Sequence, residues 1–208
     1  MRRALGWLGI ILLAVSAQLF EKPWLRAACV PVILLLLGSS APSPLRHMLL
    51  GLAIAAAALV AFGFGEPLLD ATPALIAGIV AWLFARTLLC GRQPLIARAV
   101  LAMDGPALLE DPAVVRYTRR LTALWAFYQA TLALIALLLA VRARYSPGSL
   151  PLLPGPRVFG VIVLPLAIAA LIIVEFTLRP RLLPQAPPRS LPAFARELVR
   201  SWPALLAE

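Results

Sequence analysis

The polar residues of this 208-residue chain that could do chemistry are few, and they fall near the ends of apolar stretches. Arg86 and Glu175 each stand about one helical turn inside the end of such a stretch. A charge there costs less than the roughly 2.5–3.5 kcal/mol expected at the middle of a membrane-spanning helix. Thr118, Thr122, Trp125 and Gln129 recur at i, i+4, i+7 and i+11, so they share one helix face. Arg98, Arg116, Arg119 and Arg120 precede or overlap that stripe. With Tyr117 and Arg179, the candidate cluster is Arg86, Arg98, Tyr117, Arg119, Arg120, Thr122, Trp125, Gln129, Glu175 and Arg179, gathered at one membrane face.

Each of these groups has a chemical reading and a structural one. Arg86 can snorkel to lipid head groups, or meet a buried partner such as Glu175 or an anionic ligand. Glu175 can act as acid or base, or pair with Arg179 in the favourable i, i+4 orientation. The threonine and glutamine stripe suits hydrogen bonding between helices. The arginines serve either as positive-inside determinants or as a docking face for anionic lipids or for an acidic protein such as an acyl carrier.

Absences narrow the chemistry. His47 is the only histidine, so neither a His-based metal centre nor a relay of several histidines can be assembled. The carboxylates are scattered, with no DxxxD pair of the kind that holds magnesium-diphosphate. There is no GxxxxGK[ST] loop, and the serines lie in no nucleophile motif. No metal or cofactor is therefore expected. Cys29 and Cys90, the two cysteines, are expected at opposite faces as thiols. The net charge of +10 does not point to nucleic acid, because the basic residues lie between apolar blocks rather than in one patch interleaved with aromatics.

What must position these groups is a set of membrane helices. Apolar residues make up 62% of the chain, above the roughly 45–50% of soluble domains, and they come in blocks near the roughly 17–25 residues that cross a bilayer. The predicted architecture is an all-α integral membrane protein, a single domain over 1–183 with about six transmembrane helices. The spans are 4–20, 25–38, 45–65, 74–90, 118–141 and 158–178, the second short enough to be re-entrant. Residues 1–17 also fit a cleaved signal peptide. Glu66 to Pro73 reads as a loop, with Pro73 opening the next helix and Gly91 ending it. Ile96, Val100 and Met103 mark a short amphipathic segment lying in the interface, followed by a turn at Asp104-Gly105-Pro106.

Asp111 then reads as a helix N-cap and Pro112 as the first helical residue. A helix from there to Val141 would be about 45 Å long at roughly 1.5 Å per residue. That exceeds a hydrocarbon core of about 30 Å, so its arginine-bearing first turns should project. Pro165 predicts a kink in the last span. The tail 184–208 is expected to be cytoplasmic, with Leu191, Phe194, Leu198 and Trp202 on one side of an amphipathic helix or with no fixed structure. Lys and Arg concentrate on alternate loops, which places both termini and the central loop in the cytoplasm of a bacterial inner membrane.

The segments GRQPLIARAV, RYTRRLTALWAFYQATLALIAL and VEFTLRP resemble a bacterial family of small membrane proteins found with the biosynthesis of aryl polyene pigments of the xanthomonadin type. Arg98, Tyr117, Thr118, Arg119, Arg120, Thr122, Trp125, Glu175 and Arg179 occupy the positions of that family's motifs, and the likeness runs from Ala85 to Arg179. It implies a pathway rather than a reaction. The leading expectation is an accessory or scaffold protein for pigment synthesis or export, with anionic lipids, an acyl carrier protein or pigment-synthesis enzymes as partners at the cytoplasmic face. A membrane-embedded acyl- or polyprenyl-group transferase using Glu175, and a small transporter component, are the alternatives.

Overall fold

A computed structural model describes residues 23–41, 43–89, 92–145, 154–182 and 196, and among these every regular element is helical. The expected span 4–20, residues 146–153 and the tail positions Leu191, Phe194, Leu198 and Trp202 lie outside the described residues. The helices are α1 (Pro23–Ser40), α2 (Ser43–Ala61), α3 (Gly65–Arg86), α4 (Leu95–Asp104), α5 (Pro112–Tyr145), α6 (Pro156–Val158) and α7 (Leu164–Leu182). A single 3-10 turn, Pro106–Glu110, lies between α4 and α5, and a π turn, Phe159–Val163, joins α6 to α7.

Two compact units divide the chain, one of residues 1–72 with 144–147, the other of 73–143 with 148–208. In the first, α1 lies against α2 with Ala27, Leu34, Leu49 and Ala53 buried. Small side chains allow that close approach. The second carries the candidate site and is built around Ala77, Leu132, Ala136, Leu139, Phe159 and Leu164.

Among the described residues three helices are long and apolar enough to cross a membrane: Gly65–Arg86, Pro112–Tyr145 and Pro156–Arg179. Ala27–Ser39 and Leu45–Ala61 are shorter apolar helices. Large apolar side chains such as Phe127, Val161 and Leu166 stand exposed on the long helices, a surface suited to lipid rather than water.

Several boundaries depart from the sequence reading. The loop expected at Glu66–Pro73 is helix, because α3 starts at Gly65 and carries Pro73 inside it. The start signal was Glu66 and Pro67 in the first turn, where an acid favours the helix dipole and proline costs no hydrogen bond. The preceding helix accordingly stops at Ala61 rather than at residue 65. At its other end α3 stops at Arg86, short of Gly91, in a tightened turn where Thr87 N–H and Oγ1 both bond Phe84 O, at 3.2 and 2.8 Å.

The start of α5 is capped by Asp111, whose Oδ1 accepts from Ala113 N–H at 2.7 Å, and the helix continues past Val141 to Tyr145. In the last span the distortion sits ahead of Pro165 as the π turn. A wide turn there relieves the clash between a proline ring and the carbonyl four residues before it. Gly160, in that turn, lies directly against the Pro73 ring, with no room for a Cβ.

Candidate functional site

The site is organised by the short helix α4, whose start has no cap of its own. Its N-cap position is Pro94, which has no polar side chain, so the first N–H groups of the helix need acceptors from elsewhere. Two threonines supply them. Thr87 Oγ1, just past α3, accepts from Leu95 N–H at 3.0 Å, and Thr122 Oγ1, on α5, accepts from Ile96 N–H at 3.3 Å. Each hydroxyl donates in turn to its own chain, Thr87 to Phe84 O and Thr122 to Thr118 O at 2.7 Å. Both hydroxyls thus donate and accept at once, which secures α4 to the ends of two longer helices. Arg119 adds a strap, its Nη2 donating to Leu88 O at 3.0 Å.

The buried residues of α4 are Leu95, Ala97, Arg98 and Val100. Of the expected interfacial face, Val100 is buried while Ile96 and Met103 are half-buried, and Arg98 turns inward, its Nε donating to Gln93 O at 3.1 Å. The capping by Thr87 and Thr122 comes from other segments, and the spacing of apolar residues alone could not reveal it.

Along the first turns of α5 and the last turns of α7 runs a groove of about 340 Å³. The two helices are antiparallel here: Tyr117 meets Glu175, and further along Tyr128 Oη donates to Ala167 O at 2.9 Å. Leu121, Leu124, Leu171, Val174 and Leu178 form its apolar walls, while Tyr117, Arg120 and Glu175 supply its polar groups. Tyr117 Oη donates to Glu175 Oε1 at 3.3 Å. Arg120 is exposed and makes no hydrogen bond or ion pair among the described residues, so it is the cation the groove leaves uncommitted. Beside the groove, Arg179 Nη2 lies 3.2 Å from Oδ2 of Asp104, whose side chain is almost fully buried.

Arg86, at the end of α3, is 7% exposed, and its guanidinium carbon lies 4.9 Å above the Trp82 ring in a cation–π contact. The four-residue spacing of Trp82 and Arg86 was a readable signal for that contact. Trp125 stacks on Phe84, with centroids 5.6 Å apart and planes within 12°. Thr118, Thr122 and Gln129 are buried along one side of α5, and Gln129 Oε1 has no hydrogen-bond donor among the described residues.

The sequence-derived cluster is thus divided. Tyr117, Arg120 and Glu175 share the groove, with Arg179 beside it; Thr122 and Arg98 serve α4; Arg119 straps α5 to the end of α3; Arg86 stacks on Trp82; Trp125 and Gln129 pack along α5. Arg86 and Glu175 do not pair. Asp104, read only as a turn residue, is the carboxylate that takes Arg179, and Thr87 was not singled out at all. Comparison with protein-family models, with curated proteins and with solved structures returns no match.

Proposed function

We propose that this chain is a multi-pass protein of the bacterial inner membrane, with both termini and the α4 region on the cytoplasmic side. It serves aryl polyene synthesis or export, of the xanthomonadin type, as an accessory protein. In this reading the groove between α5 and α7 holds an amphiphilic intermediate, an acyl or polyene chain with an anionic head, while soluble enzymes or an acyl carrier protein act on it at the membrane face. The observation that carries the reading is the groove's polarity: five apolar side chains along its walls and an uncommitted arginine, Arg120, among its polar groups. An apolar tail gains by leaving water or by matching the leucine walls, and a carboxylate or phosphate head gains a charge-assisted bond.

The six-span count, in which α1, α2 and the segment 4–20 also cross, completes the topology that the Lys and Arg distribution favours. A second reading is favoured by one specific contact. Glu175 and Tyr117 form a carboxylate–phenol pair inside the same groove, an arrangement that could transfer a proton to or from a bound acyl or polyprenyl substrate.

A deletion strain complemented with wild type, Arg120→Ala or Glu175→Gln separates the two. The accessory reading expects pigment to fall with deletion and with Arg120→Ala, and to survive Glu175→Gln. Accumulation of one precursor in Glu175→Gln alone would favour the enzyme. Unchanged pigment on deletion would dismiss the pathway assignment.

A further inference from the structure

A second polar constellation lies outside the groove, where the chain turns from α3 into α4. Thr87 reaches across this turn to the first N–H of α4, drawing the end of one helix onto the start of the next. Arg86, Arg92 and Arg98 all belong to this turn or its flanks. Arg86 is more than nine-tenths buried, its guanidinium lies over Trp82, and its Nη1 is fully shielded yet makes no hydrogen bond among the described residues. Leaving a buried donor on a charged group unsatisfied is costly, more so than for a neutral group.

The surroundings add to that cost. Arg92 and Arg98 are both close enough for their like charges to act on Arg86, and among the described residues no carboxylate does. Two like charges acting on a buried guanidinium repel it, and an anion beside it turns that repulsion into attraction. The planar, multi-donor guanidinium fork matches phosphate oxygens particularly well.

We propose that Arg86, Arg92 and Arg98 form a binding site for a phosphate-class oxyanion, either the head group of an anionic phospholipid or a free phosphate ester. The buried Nη1 of Arg86 is the inner donor, Trp82 fixes the plane of its guanidinium, and exposed Arg92 closes the outer side. Arg98 contributes charge while its Nε stays with Gln93 O. The site does not depend on the reading of the groove, since none of these residues lines it.

The test uses the purified full chain in nanodiscs. In one arm inorganic phosphate and pyrophosphate are titrated calorimetrically into nanodiscs of phosphatidylcholine alone. In the other, native mass spectrometry reads phosphatidic acid retained from mixed nanodiscs. Binding in either arm is expected, and the arm in which it appears tells a free ester from a lipid head group. Arg92→Gln, an exposed change, should weaken binding at least roughly ten-fold by removing a charge-assisted contact. Arg86→Lys, which keeps the charge but loses the fork, should weaken it as well. No binding in either arm, or binding unchanged in Arg92→Gln when that variant melts like wild type, would overturn the proposal.

Discussion

Tyr117 donates to Glu175 at 3.3 Å, while Arg179, one turn beyond Glu175, reaches Asp104 at 3.2 Å. The i, i+4 neighbours Glu175 and Arg179 still act on each other through their charges, and each adds a contact across helices. A separation of 3.3 Å is long for an O–H···O bond, for which roughly 2.5–3.0 Å is usual. The pair is therefore weak, and its removal is cheap. Tyr117→Phe is expected to cost less than about 1 kcal/mol of stability, measured by unfolding in detergent. If the groove holds an anionic amphiphile, the same variant should still alter how much of it copurifies. A stability loss of several kcal/mol would mean that the pair is structural.

The caps of α4 should behave differently, because both acceptors are replaced by nothing if the hydroxyls are lost. Thr87→Val and Thr122→Val keep shape and strand the N–H groups of Leu95 and Ile96. Each should cost about 1–3 kcal/mol. Thr87→Val should cost more, since its bond is the shorter, 3.0 against 3.3 Å. Hydrogen exchange at Leu95 and Ile96 should rise in both, with α5 unaffected beyond its contact with Ile96. Protection left unchanged in the double variant would show that another acceptor serves these groups.

How much of this was legible in the sequence follows the range of each interaction. The Asp111-Pro112 start of α5 is local, a side chain reaching an N–H two residues on, and it was read correctly. The burial of Thr118, Thr122 and Gln129 followed from helical spacing alone. What failed was non-local or ambiguous. Pro73 looked like a helix start because proline favours first turns, but Glu66 and Pro67 offered the same signal earlier. The acceptors that cap α4 are threonines from two other segments, and the Asp104–Arg179 pair joins residues far apart in the chain. Helical periodicity is blind to both.

The approach of Gly160 to Pro73 gives a paired test. A Cβ at Gly160 would collide with the Pro73 ring, a rigid group that cannot rotate aside, whereas a Cβ at Gly78 meets nothing within 4 Å. Gly160→Ala should destabilise the second unit by about 1–3 kcal/mol, as overpacking does. Gly78→Ala, inside α3, should instead gain about 0.5–1 kcal/mol from backbone entropy. Melting temperatures moving in opposite directions are the expected result; equal shifts would refute the close contact at the π turn.

The groove can be closed without disturbing the bundle. Leu124 lines it and is 48% exposed, so a larger side chain there has space to occupy the cavity rather than to pry the helices apart. Leu134, 56% exposed further along the same helix and not part of the groove, is the matched control. Leu124→Trp is expected to leave the unfolding midpoint within the scatter typical of exposed substitutions, about 0.5 kcal/mol. It should also remove most of the amphiphile that mass spectrometry finds with the purified wild-type chain, while Leu134→Trp keeps it. Arg120→Ala should lower retention by a different route, losing the head-group contact but not the walls, so anionic ligands should be lost in preference to neutral ones. If Leu124→Trp retains the same molecules in the same amounts, the groove is not where they bind, and the accessory function must rest on some other surface of the protein.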